Sequence, residues 1–262
     1  MKVGISTASL FLKEDNENAV KLLNEWNIDC AEVFLTSFSE YEPAFAEELK
    51  ARKGNLDVYS VHDLNTQFEP QLYAAHPRVK ADAFSWLAKV MQAAKILGAK
   101  HYTFHGIARI KRTFQENLPL AAERTREISE FCKQYGVQLS YENVEWALVN
   151  RPEVFPVLKE RCPYLGAVLD IKQARISGYD YRDYLKAMGR SITHVHVSDI
   201  AADGKMCLPG KGTFDFDELF SRLQDVGFTG AVLIENYAKD FDKTQELKES
   251  YLFLKDKIAK YA

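Results

Sequence analysis

The sequence predicts a single-domain (β/α)8 TIM barrel, an α/β fold in which eight parallel strands alternate with helices. Eight short apolar, often β-branched runs alternate with amphipathic stretches along the 262 residues. The chain length matches the size of about 250 residues that is usual for this barrel. No glycine-rich phosphate-binding turn follows the first strand, where the sequence reads GISTASL, and this disfavours an open doubly wound sheet.

The predicted strands are short runs of apolar residues rich in Val, Ile, Leu, Phe and Tyr, which favour extended structure. Several of them, such as ITHVHVS, also alternate with a period of two, as expected for a strand. In chain order, the runs cover residues 2–9, 30–35, 56–62, 99–105, 136–143, 164–170, 192–198 and 231–236.

The predicted helices lie between these strands and show apolar residues at helical spacing. Gly54, Gly98, Gly136 and Gly227 each stand just before a strand, where a glycine commonly ends a helix. No linker or low-complexity stretch divides the chain, so we expect one domain over residues 1–262. Examples of the helical stretches are NAVKLLNEW, ADAFSWLAKVMQAAKIL, LAAERTREISEFCKQY, FDELFSRLQDV and TQELKESYLFLKDKIAKY.

The composition favours a cytoplasmic protein with a large buried core. Hydrophobic residues make up 47% of the chain, and the net charge of −3 comes without a block of Lys or Arg. Nucleic acid and anionic membranes are therefore not the expected partners. No apolar run approaches the roughly 18 residues of a membrane span, and the apolar stretch at the N-terminus is too short for a signal peptide. The four cysteines form no CxxC pair, so we expect reduced thiols.

Six predicted strands end in a residue that can bind a metal or transfer a proton. The carboxyl ends of barrel strands meet at one mouth, where the active sites of this fold lie. The runs QLSYE, GAVLD and AVLIE lead from apolar residues directly into a carboxylate, which is costly to bury without a partner. Each carboxylate alone could instead cap a helix or pair with a lysine at the rim. The six residues are His62, His105, Glu142, Asp170, His196 and Glu235.

Two Glu, one Asp and one His around the mouth offer three oxygens and one nitrogen. That set suits Mn²⁺ or Mg²⁺ and also admits Co²⁺ or Zn²⁺. The sequence therefore predicts a divalent-metal site at the barrel mouth.

Five segments resemble the xylose-isomerase-like barrel superfamily, and more narrowly its sugar phosphate isomerase/epimerase branch. They are SYENVEW, VLDIKQA, HVHVSD, LPGKGTFDF and VLIENY, in this order and spacing. The branch also contains ketose 3-epimerases, inosose dehydratases and apurinic endonucleases. The resemblance extends over the whole chain. It implies one divalent metal ion per chain, held by Glu142, Asp170, His196 and Glu235.

The seventh predicted strand carries two histidines that face the same side, His194 and His196. His196 is nearer the carboxyl end and belongs to the HxxD pattern of the family, so it is the predicted ligand. His194 lies about 7 Å deeper. We expect it to be a hydrogen-bonded residue of the barrel interior, although two such histidines can share one metal.

The resemblance also implies which residues face the substrate. His62 and His105 match family positions that contact sugars in the sugar enzymes and bind further metals in the nucleases. Gln173 stands where the family commonly has a histidine, so we expect it to hydrogen-bond the substrate and not to act as a base. Leu148 and Ala202 replace the Glu and Arg that grip the substrate in ketohexose 3-epimerases, which argues against that narrow identity.

For other residues near the predicted mouth, the sequence allows two interpretations. Trp146 could form an apolar wall for a sugar ring or simply pack at the rim. Lys211 lies in a glycine-rich loop after the seventh strand, where barrels often bind phosphate. Lys172, Arg175 and Arg109 follow other strand ends. Each of these cations could contact an anionic substrate, but a solvated side chain is the expectation for each.

The predicted activity is metal-dependent isomerisation or epimerisation of a small polyhydroxy carbonyl compound, a reaction of carbohydrate metabolism. Glu142 and Glu235 resemble the family's pair of bases, which remove and return a proton next to the carbonyl through an enediolate. A dehydratase of the inosose type is the alternative. An apurinic-endonuclease-like activity is disfavoured by the negative charge, and a sugar-binding barrel without catalysis remains a third reading.

Overall fold

The computed structural model of the chain describes residues 1–64, 68–108 and 117–261, and within them it contains the predicted barrel. Eight parallel strands close in the order β1-β10-β7-β6-β5-β4-β3-β2. Their bounds confirm all eight predicted strands: β1 Lys2–Ser6, β2 Cys30–Leu35, β3 Asp57–Asp63, β4 His101–Phe104, β5 Gln138–Glu142, β6 Gly166–Asp170, β7 Ile192–Val197 and β10 Ala231–Ile234.

Helices alternate with these strands and bury an apolar face against neighbouring elements. In the long helix α3, for example, Leu87, Val90 and Ala94 are fully buried. None of the described helices is both long and apolar enough to span a membrane. The α-helices are α1 Asn16–Glu25, α2 Pro43–Arg52, α3 Pro77–Leu97, α4 Leu118–Lys133, α5 Val154–Arg161, α6 Ile171–Ile176, α7 Tyr181–Met188, α8 Phe216–Asp225 and α9 Gln245–Ile258.

The first strand is shorter than predicted because a 3-10 turn replaces its last residues. The hydroxyl oxygen of Ser6 accepts a hydrogen bond from the backbone N–H of Ala8, and the turn Thr7–Leu10 follows. The apolar residues of this segment thus belong to the edge of the barrel mouth. Phe11, directly after the turn, packs edge-on against the ring of Phe34 from β2.

A small hairpin after β7 was not predicted from the sequence. Its strands β8 (Asp199–Ile200) and β9 (Met206–Cys207) pair antiparallel. The Asp199 carboxylate accepts backbone N–H groups from Gly210, Gly212 and Phe214 in the loop that follows. A Cβ at Gly212 would meet Asp199 Oδ1 at 2.4 Å. The family-like HxxD and GKG segments therefore include a structural part, in which an aspartate organises the loop.

The register of the barrel brings the strand ends together at the mouth. Asp170 of β6 stands beside His196 of β7, and His196 stands beside Leu233 of β10. Glu142, the last residue of β5, pairs with Val168 of β6. Consecutive strands thus deliver polar side chains to one level of the barrel, as predicted for a parallel barrel.

Candidate functional site

Four of the predicted residues converge at the barrel mouth. One potential ligand atom from each of Glu142, Asp170, His196 and Glu235 lies within 4.8 Å of those of the others. His196 Nδ1 is 2.9 Å from Glu142 Oε1 and 3.1 Å from Glu235 Oε2. Glu142, Asp170 and His196 are buried, whereas Glu235 is partly open to the cleft. The four residues therefore form one cluster, below called the carboxylate cluster.

The cluster favours a positive charge at its centre. Burial alone would lower the pKa of His196, but Glu235, Glu32 and Glu142 outweigh it and raise that pKa well above its usual value. Burial would raise the pKa of Glu142, yet His196 and His105 hold it well below the usual range. Burial raises the pKa of Asp170 to about 7, against the opposing effect of Lys172. These shifts reflect carboxylates and imidazoles held close together away from water.

The residues of the carboxylate cluster fit a divalent cation. Among the described residues, Asp170 Oδ2 and Glu235 Oε2 are buried oxygens that accept no hydrogen bond. Such atoms are costly to bury unless a partner occupies the space between them. Three carboxylates and one imidazole are the oxygen-rich donor set that hard divalent ions prefer.

A further buried carboxylate beside the cluster, Glu32, was missed by the sequence analysis. It lies on β2, below the cluster, and is fully buried. It accepts hydrogen bonds from the hydroxyls of Ser6, Ser60 and Thr103. The signal was present in the sequence, because a glutamate within the apolar run CAEVFL is hard to bury without partners.

Glu32 is surrounded by three histidines of the barrel interior. Its Oε1 is 3.2 Å from His62 Nδ1 and 3.1 Å from His196 Nε2, and its Oε2 is 3.3 Å from His194 Nε2. Burial would raise the pKa of Glu32, but His196 and His62 lower it well below its usual value. Conversely, burial would lower the pKa of His62, yet Glu32 raises it to about 9. Glu32 is thus an ionised carboxylate that orients the rings around it.

His194 lies at the deeper level that its position in β7 predicts. Its Nε2 is 2.8 Å from Thr103 Oγ1, and its Nδ1 is 3.0 Å from Thr193 Oγ1. Burial lowers its pKa, which favours the neutral imidazole. Both ring nitrogens therefore have a hydroxyl partner in the barrel interior.

His62 and His105 lie next to the cluster and line the cleft above it. Their Nε2 atoms are 3.0 Å apart, and His105 Nε2 is 3.1 Å from Glu142 Oε2. His62, His105 and Glu142 also lie close enough to share an ion. This second group depends on Glu142, so it is not independent of the first.

The cleft above the cluster has a polar side and an apolar side. It encloses about 490 Å³ and is open to solvent. Phe34 and Trp146 form part of the apolar wall, and the Trp146 ring lies 5.2 Å from the His105 ring. Gln173 also lines the cleft, and its Oε1 accepts the backbone N–H of Glu145 at 3.3 Å.

Three predicted contact residues lie elsewhere or outside the described part of the chain. Lys211 is about half exposed, with its Nζ 3.5 Å from Glu249 Oε2, and does not line the cleft. Arg175 lines a separate groove beside Asp180. Arg109 lies outside the described residues. The structure therefore does not bring Lys211 or Arg175 to the cluster.

Lys172 differs most from the sequence-based expectation of a solvated side chain. It is fully buried, with its Nζ 3.6 Å from Asp170 Oδ2 and 3.7 Å from Glu235 Oε1. Burial would lower its pKa, but Asp170 and Glu235 outweigh that effect and raise it. Lys172 is therefore an ammonium ion at the edge of the carboxylate cluster.

Comparison with known proteins gives matches along the whole chain. A family model described as a xylose isomerase-like TIM barrel matches residues 20–257. An uncharacterised protein of Methanocaldococcus jannaschii is 24% identical over 273 aligned residues, which cover 99% of this chain and 92% of that protein. An inosose isomerase of Bacillus licheniformis is 25% identical over 166 residues, which cover 59% of this chain and 60% of the relative. The match to the isomerase therefore spans less than two thirds of its length.

Solved structures share the complete barrel. A D-tagatose 3-epimerase-like protein superposes with a TM-score of 0.81 at 20% identity, covering 100% of this chain and 98% of the other. The IolI protein with a bound zinc atom gives a TM-score of 0.79 at 19% identity, covering 100% and 99%. At such identities the likeness concerns the fold.

Proposed function

Because the chain belongs to the xylose isomerase-like TIM barrel family, we propose that it is a metal-dependent enzyme that isomerises or epimerises a small polyhydroxy carbonyl compound. The main support is the carboxylate cluster, in which Asp170 Oδ2 and Glu235 Oε2 are buried without a hydrogen-bond donor. The names of two similar proteins, an inosose isomerase and a D-tagatose 3-epimerase-like protein, agree with this class of substrate. The proposed ligands are Glu142, Asp170, His196 and Glu235.

The proposed chemistry needs a polarised carbonyl and a base beside it. A divalent ion bound by the cluster would polarise the carbonyl and an adjacent hydroxyl of the substrate. Glu142 and Glu235 each present a carboxylate to the cleft. One removes the proton from the carbon next to the carbonyl, and the other returns a proton at the neighbouring carbon or on the other face. The lowered pKa of Glu142 keeps this carboxylate ionised.

The remaining side chains of the cleft are suited to hold a polyhydroxy compound. His62 and His105 present ring nitrogens that can exchange hydrogen bonds with hydroxyl groups. The amide of Gln173 can donate to a hydroxyl or carbonyl oxygen while its own oxygen accepts from Glu145. Phe34 and Trp146 offer an apolar surface for the C–H face of a sugar or a cyclic polyol.

The test is hydrogen exchange at the carbon next to the carbonyl. A panel of ketoses, inososes and sugar phosphates is incubated with the protein in D₂O with Mg²⁺ or Mn²⁺, and the recovered compounds are analysed by NMR and mass spectrometry. We expect one panel member to gain deuterium at one carbon, and to lose this exchange with EDTA or in Glu142→Gln. A product lighter by one water would instead assign a dehydratase. Binding of a panel member without any exchange would contradict the proposal and favour a sugar-binding barrel.

A further inference from the structure

The sequence segment DIKQ buries a lysine against the proposed metal ligands. Asp170 ends β6 and caps helix α6, because its Oδ1 accepts the backbone N–H of Gln173 at 2.8 Å. The tight turn leaves Asp170 Oδ2 facing the cluster and places Lys172 within its reach. Lys172 is 2% exposed, and its Nζ lies 4.6 Å from the centre of the Tyr237 ring.

The contacts of Lys172 are those of a charge and not of a tightly bound donor. Its Nζ is 3.6 Å from Asp170 Oδ2 and 3.7 Å from Glu235 Oε1, and within the described part of the chain it donates a hydrogen bond only to the backbone oxygen of Glu235, at 3.4 Å. The ammonium therefore attracts both carboxylates electrostatically, although neither of these carboxylate oxygens forms a short hydrogen bond with it. Those oxygens remain free to bind a metal ion.

A buried ammonium is costly unless opposite charges lie beside it. The proposed mechanism assigns no role to Lys172. The contacts to Asp170 and Glu235 link it directly to the charge balance of the cluster. Glu142, Asp170 and Glu235 together carry three negative charges when ionised, and a divalent ion offsets only two of them.

We propose that Lys172 is the internal counter-ion of the metal centre: its fixed positive charge weakens the binding of a divalent ion and makes the loaded centre electrically neutral. This inference rests on the proposed function. It follows from electrostatics, because a cation beside two ligand carboxylates repels a second cation that binds to them. A centre of charge −1 would repel the negative charge that develops on a deprotonated substrate. A neutral centre repels it less.

The counter-ion role predicts opposite effects on metal binding and on catalysis. In Lys172→Met the side chain keeps its length but loses the charge, whereas Lys172→Arg keeps the charge and serves as the matched control. Binding of Mn²⁺ to the metal-free proteins is measured by electron paramagnetic resonance at one pH. We expect Lys172→Met to bind Mn²⁺ at least about tenfold more tightly than the unchanged protein, and Lys172→Arg to stay within about threefold. At saturating Mn²⁺, we expect Lys172→Met to have the lower kcat.

Circular dichroism checks that each variant folds, and Lys172→Gln replaces Lys172→Met if the latter does not. Equal or weaker Mn²⁺ binding in the uncharged variant would overturn the counter-ion role. If the unchanged protein binds Mn²⁺ and loses it in Asp170→Asn, the proposed metal site stands whatever Lys172 does. If the unchanged protein binds no Mn²⁺ but Lys172→Met does, the charge of Lys172 prevents Mn²⁺ binding, and the counter-ion role is supported. Absence of binding in all variants contradicts both proposals.

Discussion

Glu142 and Glu235 occupy different environments although they are proposed to share one reaction. Glu142 is buried between His105 and His196, 3.1 Å and 2.9 Å away. Glu235 keeps 13% of its side chain exposed and faces the open cleft. Water therefore reaches the Glu235 carboxylate directly, whereas the protein shields Glu142 from it.

Replacement of either glutamate by glutamine tests their role as bases. Glu142→Gln and Glu235→Gln keep the size of the side chain but remove its ability to take a proton. We expect each to lower kcat at least about 100-fold, the range in which general acid–base catalysis operates. The measurement is kcat from steady-state kinetics, with the substrate that the D₂O exchange experiment identifies. Glu249→Gln, at an exposed position, is the control. A variant that keeps more than about a tenth of kcat would exclude that residue as a base.

Glu32 is not a proposed ligand, yet it contacts one. It lies 3.1 Å from His196 Nε2 and so favours a proton on that nitrogen, which leaves Nδ1 facing Glu142 and Glu235. Carboxylates behind a ligating histidine typically contribute about 10–100-fold to metal affinity.

We therefore expect Glu32→Gln to weaken Mn²⁺ binding by about 10–100-fold. The ¹⁵N chemical shifts of His196 should also show a changed tautomer distribution, which a purely structural role would not produce. Ser6→Ala, which removes one hydrogen bond to Glu32, is the control and should change both readouts much less. If Glu32→Gln binds Mn²⁺ more weakly while the tautomer distribution of His196 stays unchanged, Glu32 does not act by positioning His196.

At the scale of elements, two buried carboxyl groups, those of Asp63 and Glu69, connect the end of β3 to the end of β4. Glu69 hydrogen-bonds Asp63, and its Oε2 accepts the backbone N–H groups of His105 and Gly106. The Tyr102 hydroxyl lies 2.9 Å from Asp63 Oδ1 and 2.8 Å from Glu69 Oε1. Burial and then Asp63 raise the pKa of Glu69 well above its usual value. The pair thus holds a proton that helps to position His105.

This shared proton predicts a pH dependence of stability. Because the pKa of Glu69 is raised in the folded state, the folded chain keeps a proton that the unfolded chain releases. Its contribution is complete below the unfolded pKa of about 4.3 and is lost as the pH rises through the folded pKa. In Glu69→Gln, the amide can accept the same N–H groups and donate to Asp63 without a proton. We expect its free energy of unfolding, relative to the unchanged protein, to rise between pH 5 and 8 in urea titrations.

If the free energies of unfolding of Glu69→Gln and of the unchanged protein differ by the same amount from pH 5 to pH 8, Glu69 and Asp63 do not share a proton. The exposed variant Glu249→Gln is the control, since it removes a carboxylate that belongs to no buried pair. Both comparisons use the same buffers, so effects of other ionisable groups cancel.

The sequence predicted the strands better than the connections between them. Strands such as Gly166–Asp170 are continuous apolar runs, and such runs are recognisable without knowledge of the rest of the fold. The hairpin of Asp199–Ile200 with Met206–Cys207 was missed because two-residue strands carry no periodicity. Its geometry depends on the Asp199 carboxylate and the loop that it holds.

The site was predictable where a strand end leads to the mouth and unpredictable where a side chain turns inward. Glu142, Asp170, His196 and Glu235 followed from the parallel fold. Lys172 was expected in solvent, because its burial depends on how Asp170 caps helix α6 and on the Tyr237 ring. Only the assembled structure contains that information.

At the scale of the whole molecule, every potential metal-ligand group among the described residues shares a member with the carboxylate cluster. The second group, His62, His105 and Glu142, shares a carboxylate with the first, and the side chain of Gln173, which also lines the cleft, is an amide. An amide is a weaker ligand than imidazole for Zn²⁺. We therefore expect one tightly bound ion per chain.

Elemental analysis of protein purified without chelator measures this stoichiometry. We expect about one metal per chain, lost in His196→Ala and kept in His62→Ala. The ion should also raise the melting temperature of the unchanged protein, because it binds the folded state alone. Two ions per chain, with one lost in each of His62→Ala and His105→Ala, would contradict the prediction and favour a multi-metal centre.

The network around Glu32 has a consequence for how this barrel can evolve. His62, His194 and His196, on strands β3 and β7, each contact Glu32 of β2 in the barrel interior. A change at one of them leaves a buried charge or donor without its partner, which commonly destabilises a protein by several kcal/mol. Substitutions here are therefore expected to be coupled, so that the cost of a change at one position depends on the residues at the other three. We therefore expect variants of this chain to tolerate single changes in the apolar walls of the cleft more readily than single changes among the interior histidines and their glutamate.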